Sequence, residues 1–131
     1  MIQIVVRPNL IARAAALAAI MVFGACGTAR ESTAYRDATR ELVMAKNADI
    51  KSCYDAELTR EPNLSGQVVV NFQVQSETGK IVDARIDPDN TTAPASLSGC
   101  VLRAMDGLAL NPADRNQGLA TFRWDFQPGS T

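Results

Sequence analysis

The sequence predicts an α+β domain of element order α-β-β-α-β, with a three-stranded antiparallel sheet in the order 2-1-3 and two helices on one face. Three observations carry that prediction. Glu31 to Arg60 has helix-forming composition without Gly or Pro. Two runs that alternate apolar and polar, Gln67 to Gln75 and Lys80 to Asp87, flank the turn Ser76-Glu77-Thr78-Gly79. A helical stripe from Leu97 to Leu108 then precedes a last alternating run, Leu119 to Phe126.

In the first helical stretch, Val43, Ile50, Cys53, Tyr54 and Leu58 recur at three, four and seven residues, which places them on one buried stripe. Asn47-Ala48-Asp49 marks a candidate break or new N-cap within it. Pro62-Asn63-Leu64-Ser65-Gly66 ends the helix. The first strand turns Val68, Val70, Phe72 and Val74 to one side, and Val69, Asn71, Gln73 and Gln75 to the other. Gly79 supplies a left-handed turn position, and the second strand is expected to send Val82, Ala84 and Ile86 inward. After a polar loop from Asp87 to Pro94, Leu97, Cys100, Val101, Ala104 and Leu108 form the second helical stripe, with Ser96 as its candidate cap. The last strand directs Ala120, Phe122, Trp124 and Phe126 to the core, with Thr121, Arg123 and Asp125 toward water. Placing it beside the first strand makes every neighbouring pair antiparallel.

The first 25 residues differ from the rest. They contain Arg7 and Arg13, no acid, and an uninterrupted apolar run from Ala14 to Val22, followed by Phe23-Gly24-Ala25-Cys26. This resembles a bacterial lipoprotein signal, which implies removal of residues 1–25 and acylation of Cys26. The apolar stretch is too short for a membrane-spanning helix, which needs about 20 residues. Gly27 after the cysteine resembles the signal that sorts lipoproteins to the outer membrane, facing the periplasm. The expected organisation is therefore a signal peptide (1–25), a short tether (26–31), a domain (32–128) and a tail (129–131).

The full chain has 131 residues, a net charge of −1 and no histidine. Basic residues do not cluster, so nothing matches a nucleic-acid phosphate backbone. The missing histidine removes the commonest general base and every Ser-His or Cys-His nucleophile pair. Asp55 and Glu57 on one helical turn read as a solvated face rather than a hydrolytic pair. Asp87, Asp89 and Asn90 suggest part of a calcium loop but lack its spacing and distal glutamate. Trp124 reads as a core residue. The expectation is a non-enzymatic protein with no cofactor, no metal and no small-molecule substrate.

With Cys26 assigned to lipid, Cys53 and Cys100 remain, one on each helical stripe. An exported domain makes a disulfide between them reasonable, the alternative being two buried free thiols that pack as small apolar groups.

The segments Ile50-Lys51-Ser52-Cys53-Tyr54-Asp55, Leu64-Ser65-Gly66-Gln67-Val68-Val69-Val70-Asn71-Phe72 and Gly79-Lys80-Ile81-Val82, together with Cys100, resemble the AgmX/PglI C-terminal domain, a relative of the TonB C-terminal domain. The resemblance runs from residue 49 to residue 126. Leu108-Ala109-Leu110-Asn111-Pro112 replaces the Phe-Pro-like segment with which the family ends its second helix. The resemblance implies the same α-β-β-α-β order, a Cys53–Cys100 pair, and binding of an extended partner segment on a free sheet edge. The third strand, with Thr121, Arg123 and Asp125, would be that edge. The implied partners are envelope proteins, in a motility or transport assembly; a structural envelope scaffold or peptidoglycan-associated lipoprotein is the alternative. Gly27 to Glu31 extends at most ~18 Å at roughly 3.5 Å per residue, so the domain is expected to stay near its membrane surface and not drive a transducing reach across the envelope.

Overall fold

The structure, a computed structural model, describes residues 28–129. The signal segment (1–25) and the lipid site Cys26 lie outside the described residues. The elements are α1 (Ser32–Met44), α2 (Asn47–Leu58), β1 (Gly66–Val74), β2 (Ile81–Ile86), α3 (Ala95–Ala104) and β3 (Gly118–Phe126). The three strands form one antiparallel sheet in the order β2-β1-β3.

The described residues hold three helices rather than the expected two, because the first helical stretch is interrupted between Met44 and Asn47. Lys46 leaves the helical conformation (φ −93°, ψ 4°) and its N–H bonds to the Val43 carbonyl three residues back, tightening the last turn of α1. The Lys46 carbonyl then accepts the N–H of Ile50 and starts α2. Val43 before the break and Ile50 after it both reach the core.

Inward side chains of the sheet, Val68, Val70, Phe72, Val74, Trp124 and Phe126, share one apolar cluster with Val43, with Ile50, Cys53 and Tyr54 of α2, and with Leu97 and Val101 of α3. Tyr54 places its ring 5.0 Å from that of Phe126 and donates its hydroxyl to the Leu64 carbonyl at 2.6 Å. Burial, and secondarily the charge of Asp55, raises its pKa above the ordinary 10.0. The Cys53–Cys100 disulfide joins α2 to α3 across a Cα separation of 5.8 Å. It closes a loop of 47 residues, for which the chain-entropy estimate is about 4 kcal/mol.

The second strand departs from simple alternation. Asn71 pairs with Arg85, but two residues later Gln73 pairs with Val82, so β2 carries one extra residue. Asp83 absorbs the bulge with φ +52°, in the left-handed region that Asp tolerates better than most side chains. The phase therefore flips: Ile81, Ala84 and Ile86 pack on the core, and Val82, expected inward, lies beside Gln73 on the opposite side. Ser96 is likewise not the cap of α3. The helix starts two residues earlier, with an extended Pro94 in the cap position, and Ser98 donates its hydroxyl to the Pro94 carbonyl.

Beyond the end of β2, residues 87–93 continue along the same flank of β1. The N–H of Asp87 bonds to the Val69 carbonyl, those of Thr92 and Ala93 to the Gln67 carbonyl, and the hydroxyl oxygens of Thr91 and Thr92 accept the N–H groups of Val69 and Gln67. Val69, assigned by alternation to the water side, is consequently buried where this segment folds back. At the other end, Gly79 (φ +68°) is fixed twice over, since an added Cβ would fall 2.1 Å from the Leu110 carbonyl oxygen.

Candidate docking edge and its groove

The two outer strands present very different edges. Exposed strand edges invite pairing with another chain, and bulges or covering segments suppress it. On β2 both devices are present: the Asp83 bulge interrupts the strand, and the Ile81 N–H is taken by the Leu108 carbonyl, with a bridge between Lys80 and Ala109 beside it. β3 has neither. It pairs with β1 in unbroken register over nine residues, from Gly66 opposite Phe126 to Val74 opposite Gly118, and no described strand occupies its other side.

The three residues singled out on this strand share one face of the sheet. Thr121 stands opposite Asn71, Arg123 opposite Val69, and Asp125 opposite Gln67. Thr121 donates its hydroxyl to Asn71 Oδ1 at 2.6 Å, and Arg123 lies 4.0 Å from Asp125 with both side chains mostly in solvent. These contacts order the outer face without closing the strand's backbone edge. Leu119 beside them is 79% exposed, one of two large apolar side chains left in water among the described residues.

On the inner side, the edge borders a groove of about 580 Å³ between β3 and α1. Phe72, Ala120 and Phe122 contribute apolar surface, while Tyr35, Arg36, Thr39 and Arg40 line it from the helix. Gly118 brings helix and strand together. A Cβ there would lie 2.5 Å from the Tyr35 ring, so the absence of a side chain at the start of β3 makes room for the tyrosine. The alternation of β3 identified the strand but not this wall, because the sequence reading joined α1 to α2 in one helix. The signal available was Arg36 and Arg40, four residues apart and therefore on one helical face.

The N-terminal approach to α1 is held by a second feature that the sequence reading missed. Asp114 is fully buried and accepts hydrogen bonds from the backbone N–H of Arg30 (2.9 Å), the Arg30 guanidinium (3.3 Å) and the N–H of Asn116 (2.8 Å). Burial pushes its carboxyl up, but these donors and the guanidinium charge outweigh it and hold the group below its ordinary 3.8. Arg30 also donates to the Pro112 carbonyl, and the N–H of Arg115 bonds to the Thr28 carbonyl. Part of the expected tether is thus docked on the loop before β3. Tyr35, whose hydroxyl donates to the Asn116 carbonyl at 3.4 Å, has its pKa raised by burial and then by the nearby Asp114 charge, against a smaller opposing effect of Arg30.

Other candidate groups are absorbed by local structure. Asp87 accepts from Asn90 Nδ2 and from the N–H groups of Asp89 and Asn90, a self-contained turn. The Asn90 side-chain bond is the main cause of its lowered pKa. No cluster of His, Cys, Asp or Glu with metal-binding arrangement occurs among the described residues. Asp55 and Glu57 pair with Lys51 and Arg60 along the surface of α2. No described helix is long and apolar enough to cross a membrane.

No family model matches the chain, and neither does any curated protein or solved structure.

Proposed function

We propose that this chain is a non-enzymatic bacterial envelope lipoprotein, anchored through Cys26 at the outer membrane, whose TonB-like domain binds an envelope protein by accepting an extended segment along β3. The observation that carries this reading is the contrast between the two edges: β3 is open and regular over nine residues, whereas β2 is bulged and covered at its start. Strand addition takes its affinity from backbone hydrogen bonds and its selectivity from flanking side chains, here Thr121, Arg123 and Asp125 on one side and the groove on the other. The docking of Thr28 and Arg30 complements it. With only Gly27 between Cys26 and Thr28, the edge stays within a short distance of the lipid anchor.

The test is site-specific photocrosslinking in the native envelope. A photoreactive residue at Leu119 should give discrete adducts with a partner protein, and one at Val82 on the closed edge should not. Adducts of equal yield from both positions, or recovery of the protein with purified cell-wall sacculi alone, would favour the scaffold reading instead.

A further inference from the structure

On α2 and at its two ends the basic side chains have partners close by in sequence. Lys46 pairs with Asp49, Lys51 with Asp55 and Arg60 with Glu57. Arg36 and Arg40 do not follow this pattern. Among the described residues neither side chain makes an ion pair or a hydrogen bond, and their four-residue spacing sets two like charges side by side, which disfavours the helix taken alone. Both line the groove beside β3, which also takes in Arg123 and includes no acidic residue, on a chain whose net charge is −1.

We propose that the segment received by this edge is an acidic extended peptide, with carboxylate side chains at alternate positions that meet Arg36 and Arg40. The proposal rests on strand addition at β3 and adds to it the chemistry of the partner. In a strand lying along β3, every second side chain projects to the groove side, and such side chains stand about 6.7 Å apart. Two residues four apart on a helix are separated by about 6 Å along its axis, so one pair of alternate carboxylates matches one pair of guanidinium groups. Guanidinium forks bind carboxylates through paired N–H donors, a geometry that a neutral amide reproduces poorly. A second copy of this chain is the wrong occupant. The core-facing set of its β3, Gly118, Ala120, Phe122, Trp124 and Phe126, carries no charge and would leave both arginines unmet.

The experiment uses the purified full chain in detergent and three fluorescent ten-residue peptides read by anisotropy. One alternates Glu with Thr, the second has Gln for every Glu, and the third keeps the Glu residues but has alternate backbone nitrogens methylated. The Glu peptide should bind about tenfold more tightly than the Gln peptide, with the advantage shrinking in high salt. In the Arg36→Gln/Arg40→Gln variant, checked for unchanged circular dichroism, the two should bind within about twofold of each other. Equal binding of the Glu and Gln peptides to the unaltered chain overturns the acidic preference while leaving strand addition standing. Full binding of the methylated peptide overturns strand addition itself. Binding of neither unmodified peptide, or a concentration-dependent dimer that competes with them, overturns the proposal.

Discussion

Arg30 and Asp114 meet across 84 residues of sequence: the backbone N–H and guanidinium of the first both bond to one oxygen of the fully buried carboxylate of the second. This contact ties the entry of the chain to the loop that delivers β3, so it orients α1 and the edge strand together. A buried carboxylate is tolerated only when its lone pairs are answered, and here two backbone N–H groups and a guanidinium do so.

Acid should therefore loosen this corner. The folded-state pKa of Asp114 lies below the ordinary 3.8, so its stabilisation is present above that value and is lost as the pH falls through the folded one. Urea unfolding between pH 2 and pH 7 should show a fall in stability at the acid end that Asp114→Asn flattens. An identical acid limb in the variant would place the pH dependence elsewhere.

Gly118 is expected to resist enlargement. Gly118→Ala places a methyl group 2.5 Å from the Tyr35 ring and should cost about 1–3 kcal/mol, as overpacking does. Adding Tyr35→Ala should recover much of the loss, and a double-mutant cycle from denaturant midpoints measures the coupling. Independent, additive effects would contradict the close packing of α1 on β3.

Removal of the bridge with Cys100→Ser should lower stability by about 2–4 kcal/mol, and dithiothreitol should reproduce that shift in the unaltered protein but not in the variant. Peptide mapping under non-reducing conditions should recover Cys53 and Cys100 joined.

Cys26→Ala should release the protein from membranes, as read by fractionation. Two acyl chains suffice for a stable anchor, so membrane association that survives the substitution refutes lipidation at this residue.

A proline at Arg123 cannot donate a backbone hydrogen bond and should weaken capture of the partner along β3, with circular dichroism reporting whether the sheet survives.

Much of the architecture was legible because it depends on short-range periodicity. Val68, Val70, Phe72 and Val74 read as the core face of a strand, and they are; a Cys53–Cys100 bridge, one of two readings of those cysteines and the one the family resemblance implies, is present. The failures have local causes of a different kind. Val82 was misplaced because a bulge adds a residue and reverses the alternation, and an Asp at φ +52° leaves no distinctive sequence mark. The break after α1 was marked by Asn47, but how far the two halves would diverge depends on the surfaces that receive Val43 and Ile50.

Residue pattern alone determined the class of fold, the strand order and the inward face of β1 and β3, and it set Cys53 and Cys100 on the two helical stripes. Those are consequences of apolar spacing and of which residue types tolerate a turn. Only the tertiary structure decided that β2 is closed while β3 is open, that α1 forms a wall beside the open edge, and that Asp114 holds the entry of the chain. Each of these depends on contacts between residues far apart in sequence, Ile81 with Leu108, Tyr35 with Gly118, Arg30 with Asp114, and no local period encodes such a meeting.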